Sequence, residues 1–491
     1  MSHIFFPDYL WKRIFDKFDN PIKILNLREV SSELEVLVEE YFEAYKLWEK
    51  LCEDEIKLWA YQIMDKVRPK KLTNTTKRIS SQADWKEIFL HYCKWRSQSS
   101  FTSLALEVDY TLKFSTDEQI TCTTVWRDIV IAGTNQGKIF LSDIEDDPTD
   151  IAIGFDNKTY IKELKVWRVD ETIAVIAVLS RNKRLKFFNL TTQDEDSIAI
   201  EKPGKGLLRF SNPNRRHLCP TSLKYYATNI CVGLDHRFFA ENNFRVTEYK
   251  FIENKIHCRR TCDLSLATSS STSSKKFLSM HSENNLLMVM IEADDVIQVL
   301  EVNFSKVMAT DPKLTNVEVI KIIDISKYST VMISIIPIKE LGLIFFGNNI
   351  LSYRSTLSNS KEWNDFELTS FENEIITCAA MHANLLLLGW NTGHFSKIYL
   401  DSIEEFSHFN NPPNEKNDTF KLVDVPIVGI NVTEFRGISY IVVSTQTTQY
   451  FIANEDKLYD IGARKLGDSD QDSLSDIDDD YIVPTKRRKS L

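Results

Sequence analysis

The sequence predicts an α plus all-β multidomain chain: a three-helix module and a helical linker come first, followed by a long body made of one repeated β-unit. Three observations predict it. Residues 1–100 contain no glycine and are rich in Leu, Glu, Lys and Trp, a composition that favours helices over tight turns. From residue 101 onward, short Val, Ile, Phe and Tyr runs alternate with turn signals. The resulting strand–turn–strand unit recurs seven times at a spacing of roughly 40 to 60 residues, the period of β-propeller blades rather than of helical solenoids. The expected domains are residues 1–50, the helical module; 51–100, the linker; 101–460, a propeller of seven blades; and 461–491, a disordered tail.

In the first module, Leu10, Ile14, Phe15 and Phe18 fall on one helical face, and Ile24, Leu25, Leu27, Val30, Leu34 and Leu37 continue the apolar pattern through two further short helices. Pro21 breaks the chain between them. Arg28, Glu29 and Glu33, which interrupt the pattern, are expected to stay in water. The linker carries Trp59, Trp85 and Trp95. The first β-unit contains "DIVIAGTNQGKIFLSDI", Asp128 to Ile144, where Gly137 can take the positive φ that the Asn-Gln-Gly turn needs. Similar hairpins follow at residues 173–190, 229–251, 285–302, 341–355, 384–400 and 438–454, each preceded by one more short apolar strand. The strand "LALEVDYTLKF", Leu104 to Phe114, is left over and is expected to complete the last unit, removing an exposed edge.

With 43% hydrophobic and 26% charged residues among 491, the chain has the composition of a globular protein with a sizeable core. Its net charge of −10 disfavours nucleic acid, because neutralising phosphates needs a basic field. The eight cysteines, Cys52, Cys93, Cys122, Cys219, Cys231, Cys258, Cys262 and Cys378, are scattered as expected for reduced, mostly buried thiols, which points to the cytoplasm or nucleus. No signal peptide is expected, and no apolar run approaches the roughly 20 residues that span a bilayer.

The motifs of catalysis are missing. There is no phosphate loop, no Gly-x-Ser-x-Gly elbow and no His-Glu-x-x-His, so neither an intrinsic reaction nor a cofactor is expected. "HCRRTC", His257 to Cys262, holds three ligand-type residues but lacks a second pair at zinc spacing, so no metal is expected. Basic residues in the connections of the second and third units, namely Arg181, Lys183, Arg184, Arg215, Arg216 and Arg237, suit a carboxylate-rich or phosphorylated peptide if they emerge on one rim. In the tail, Ser469, Ser473 and Ser475 each precede an acidic residue by three positions, and "PTKRRK" has the form of a basic import signal.

The first 50 residues resemble an F-box. Phe6-Pro7 stands where that family has Leu-Pro, and Ile14-Phe15 matches its Ile-Phe. Asp19, Asn20 and Pro21 match its turn, "ILNLREVS" its leucine-rich stretch and "LWEKLC" its closing Leu-Trp segment. The β-region resembles WD-repeat propellers in pattern, although "SDI" and "FNL" stand where a Trp-Asp dipeptide would end a blade and the Gly-His pair is missing. The resemblance implies a non-catalytic substrate receptor of a Skp–cullin–F-box ubiquitin ligase. Its helical module would dock on a Skp-type adaptor, and through it on a cullin and a RING protein, while the propeller captures a target. The implied adaptor-binding residues are Pro7, Leu10, Ile14, Phe15, Phe18, Ile24, Leu25, Leu27 and Val30. The alternative is a scaffold of the same architecture that serves a multiprotein assembly without degradation.

Overall fold

A computed structural model describes most of residues 7–56 and 81–96, the strands and many of the turns between 103 and 454, and residues 489–490. The helical part comprises α1 (Asp8–Phe15), α2 (Pro21–Leu25), a 3₁₀ turn (Asn26–Glu29), α3 (Ser32–Ala44), α4 (Leu47–Leu51), a π-helical turn (Cys52–Ile56) and α5 (Gln82–Arg96). The sequence explains the breaks. Asn20 caps α2 by accepting the Ile22 N–H at 2.8 Å, with Pro21 in the first turn where its missing N–H costs nothing. Ser31 caps α3 through the Leu34 N–H at 3.2 Å. Lys46, with φ of 53°, turns the chain into α4.

Among the described residues, the strands form seven separate antiparallel sheets, six of four strands and one of five. In chain order the sheets begin at Ile120, Ile161, Asn229, Lys276, Ser334, Ile376 and Ile427. Strand Ser103–Asp109 joins the seventh, running antiparallel to Thr448–Asn454 in the register Ser103↔Asn454 to Asp109↔Thr448. The outer side of Ser103–Asp109 takes a further two residues, Lys489–Ser490. First strands of successive sheets touch, and that of the seventh touches that of the first.

The expected three-helix module followed by a seven-bladed propeller is not what the chain forms. Among the described residues, α1 to α5, with their 3₁₀ and π turns, share one apolar core, from Phe15 and Ile24 through Trp48 to Phe89 and Tyr92. Module and linker are therefore one body. Among the described residues, the strands form discrete small sheets with no strand pairing from one to the next, so no barrel closes. Residue periodicity sets the strand–turn–strand unit because that unit is local. How units and helices join depends on contacts between distant residues, which periodicity does not carry.

Two sheet junctions show such contacts. Thr121 donates to the Ile161 carbonyl at 2.6 Å, and Thr377 to the Ile427 carbonyl at 2.6 Å, each reaching the next sheet. Opposite each threonine's neighbour sits a glycine that lets the sheets approach: a Cβ on Gly133 or Gly389 would stand 2.8 Å from the Ile161 or Ile427 side chain. The adjoining thiols of Cys122 and Cys378 are pushed up to about 12 by burial. In the hairpins of the same two sheets, Gly137 and Gly393 both have φ of 80°.

Helix α5 ties the two bodies together. Trp85, Ile88, Phe89 and Tyr92 pack in the helical core. Trp95, one turn further on, packs in the core of the sixth and seventh sheets with Leu385, Leu387, Phe395, Ile427 and Tyr450. Its indole N–H donates to His91 Nε2 at 2.9 Å, and that nitrogen lies 3.3 Å from His382 Nε2 in the sixth sheet. Trp95→Ala is therefore expected to cost about 3 to 5 kcal/mol. It should also split unfolding into two transitions in chemical denaturation, the helical unit losing far-UV signal separately from the sheets.

Candidate docking surfaces

Amphipathic α1 turns Phe15 into the core, where it lies 1% exposed and makes an edge contact with Tyr41, and leaves Ile14 on the surface. Leu10, Arg13, Ile14, Lys17 and Phe18 line a surface groove. Asp16 fixes the end of α1 by accepting the Tyr41 hydroxyl at 2.6 Å. Burial and this bond to a carboxylate raise the Tyr41 pKa, so the phenol stays a donor.

The nine residues implied for adaptor docking divide by exposure. Pro7, Ile14 and Val30 are exposed, Val30 at 68%; Leu10, Phe18 and Leu27 are half-buried. Phe15, Ile24 and Leu25 belong to the protein's own core and present no surface to a partner. Phe6 and Asp19, part of the motif resemblance, lie outside the described residues. Arg28 is a further departure: expected in water, it is buried, with ion pairs to Glu39 at 2.7 Å and Glu35 at 3.4 Å. Lys86 of α5 shares Glu39 at 3.0 Å, so this network joins α5 to the docking module. No apolar pattern could have revealed it, because the signal is a charge whose partners lie far along the chain, Arg28 and Lys86 meeting on one glutamate.

The basic residues also separate. Arg181, Lys183 and Arg184 are exposed in and beside the tight turn after strand Ile173–Ser180. Arg181 N–H donates to Tyr160 O at 2.9 Å, and Ala227 N–H donates to Lys183 O at 2.9 Å. The adjacent Thr228 N–H bonds Glu241 O at 2.7 Å, so this turn and the Glu241 end of strand Phe238–Asn242 share a rim. Arg237 precedes that strand and therefore lies at its opposite end. Arg215 and Arg216 lie outside the described residues. Among the described residues, Arg237 and the Arg181–Arg184 turn therefore do not share one surface.

Arg237 is engaged elsewhere. Its Nε bonds Glu248 Oε1 at 2.8 Å, Arg259 Nη1 bonds the same oxygen at 2.7 Å, and Arg260 Nε lies 3.3 Å from Oε2. The strand pairing slips by one residue here: Glu248 faces Arg260 and Tyr249 faces Cys258, leaving Arg259 as the extra residue. The bulge lets consecutive arginines reach one carboxylate. "HCRRTC" is thus part of an edge strand built for an ion cluster, with His257 and Cys258 exposed and Cys262 buried. Among the described residues no three His, Cys, Asp or Glu side chains gather at metal-holding distance.

Burial alone would push the Glu248 carboxyl up, but the hydrogen bonds from Arg237 and Arg259 outweigh it and hold the carboxyl below its ordinary value. With the folded pKa depressed, this group's stabilisation is present above the unfolded value of about 4.3 and is lost as pH falls through the folded one.

No family model matches the chain, and no curated protein matches it. Among solved structures, the extracellular domain described as that of a putative hybrid two component system of B. thetaiotaomicron aligns with a TM-score of 0.44 at 12% identity, covering 71% of this chain and 39% of that one. The computationally designed Ika8 protein aligns with a TM-score of 0.36 at 8% identity, covering 70% and 98%. A chain in a mitotic checkpoint complex aligns with a TM-score of 0.42 at 10% identity, covering 72% and 92%. The chain thus spans about two fifths of the first of these, and likeness at this level carries no argument about function.

Glu248→Gln is expected to cost about 3 to 5 kcal/mol, because it leaves three guanidinium groups facing one another. Denaturant midpoints measured between about pH 3 and 6 should fall as pH drops through the acid end for the native chain. The variant should show a flatter profile.

Proposed function

We propose that the chain is a non-catalytic receptor subunit: its helical unit docks on a Skp-type adaptor of a cullin-RING ubiquitin ligase, and its sheets present a target protein for ubiquitination. The observation that carries this reading is the groove along α1, lined by Leu10 and Ile14 of the helix and by the half-buried Phe18 just beyond it, while Phe15 on the helix's other side is packed in the core. Solvent exposure of Ile14 and Val30 within the stretch that resembles an F-box adds to it. An apolar strip of this kind has a reason to exist if a partner covers it.

The docking set is smaller than the motif resemblance implies. Pro7, Leu10, Ile14, Phe18, Leu27 and Val30 are retained, and Phe15, Ile24 and Leu25 serve to hold them in place. Such a receptor acts by proximity: it raises the effective concentration of a target lysine near the conjugating enzyme, with no covalent step of its own. The shared core of α1 to α5 and the insertion of Trp95 between sheets suit that role, because a stiff connection keeps the distance from adaptor to target constant.

Copurification tests the reading. The full chain should retain a Skp-type adaptor and, through it, a cullin, whereas Leu10→Asp combined with Ile14→Asp should reduce adaptor recovery by about ten-fold or more, since charges replace buried apolar contacts. Both positions are outside the core, so circular dichroism of the variant should match that of the parent. Equal recovery with and without the substitutions would remove the adaptor from the proposal and leave the scaffold reading.

A further inference from the structure

The rim that carries Arg181 holds a second surface, unrelated to the groove on α1. Arg181 lies with its guanidinium carbon 5.9 Å from the centre of the Tyr160 ring. Arg184 pairs in register with Tyr226 on the neighbouring strand, so cation and ring share a face. Lys162 projects from the first strand of the same sheet and donates to Thr228 O at 2.5 Å and Asn229 Oδ1 at 3.3 Å, bridging to the third sheet. Tyr160 and Tyr226 are 37% and 46% exposed.

Three properties set this arrangement apart from ordinary solvated charge. First, among the described residues Arg181, Lys183 and Arg184 form no ion pair, although the chain carries ten more acidic than basic side chains. Second, the turn is pinned. Lys183 adopts a left-handed φ of 63°, its N–H donates to Ser180 O at 3.0 Å, its carbonyl accepts Ala227 N–H, and the Ser180 hydroxyl accepts Arg184 N–H at 3.1 Å. A non-glycine residue held in that conformation is uncommon and needs its surroundings to maintain it. Third, the Glu241 carboxylate on the same rim is turned inward to Phe244 N–H, Asn229 and Thr228, away from the outward face that carries the cations.

We propose that Tyr160, Lys162, Arg181, Lys183, Arg184 and Tyr226 form a docking surface for an aspartate- and glutamate-rich segment of a partner protein, with apolar side chains of that segment resting on the two tyrosine rings. The spacing selects carboxylates over a single phosphate. A phosphate group is recognised by donors converging on one point, whereas these cations are distributed along a turn and across to a neighbouring strand, with rings between them. Distributed charge matches a run of acidic residues. On an otherwise acidic molecule, the same patch is where an acidic partner is least repelled, so binding weakens steeply with salt.

The proposal stands apart from adaptor docking and fails separately from it. Anisotropy of a labelled synthetic peptide of alternating Asp, Glu and Leu is measured against the full chain at low and high salt. A peptide with Lys in place of the acids and a neutral peptide bearing one phosphoserine serve as comparisons. The acidic peptide should bind saturably and lose affinity at high salt. Arg181→Ala/Lys183→Ala/Arg184→Ala should weaken it by about ten-fold or more, and Tyr226→Ala, which keeps every charge, by a few-fold. Lys183→Glu alone, a reversal at an exposed turn, should weaken it as well and guards against a triple variant that does not fold. Absence of saturable binding, equal affinity in all variants, or binding of the phosphoserine peptide alone would each overturn the proposal.

Discussion

The insertion of Trp95 from a helix into the sheets is the contact on which the arrangement of this protein depends. Helix α5 spends most of its length in the helical core and its last turn in the core of the sixth and seventh sheets, so a single rigid rod belongs to two bodies. Trp95 lies 1% exposed, and its N–H is satisfied by His91, as a buried indole donor must be. A donor taken up by a residue four positions earlier on the same helix keeps the ring in one orientation, and His382 Nε2 approaches the same His91 nitrogen from the sixth sheet. Among the described residues, these three side chains join the helical core to the sixth and seventh sheets, and a constant distance between the α1 groove and those sheets draws on them.

Charge is placed in two ways, and the contrast distinguishes structural from available groups. Arg28 is buried against Glu39 and Glu35, and the arginines around Glu248 share one carboxylate, so these cations are consumed in holding helices or strands together. Arg181, Lys183 and Arg184 are held by their backbones instead, with the side chains left to solvent. Residue type alone does not separate the two groups. Register and a one-residue bulge do, because they decide whether an acid stands opposite.

Local features are legible in the order of residues alone. Pro21 begins a new helix with Asn20 as its cap, and Gly137 takes positive φ in its hairpin, because such choices depend on a few adjacent residues. The pairing of the early strand with the last sheet is also legible, since an unpaired apolar strand and an open edge imply one another. The candidate docking residues are only partly so. An amphipathic stripe shows which side chains leave water, but Leu25 and Ile24 leave it into their own core while Ile14 and Val30 do not. The periodicity of the two pairs is alike.

By itself, the sequence determined the repeated strand–turn–strand unit, the glycine-free helical start and the positions of their breaks, because propensity, capping and alternation act over a few residues. Only the tertiary structure decided that module and linker share one core, that the β-units form discrete sheets, and that Arg237 stands at the opposite end of its sheet from the Lys183 turn. These depend on which surfaces meet across tens to hundreds of residues, and such meetings are settled by packing and paired charge, which leave no local trace in the chain.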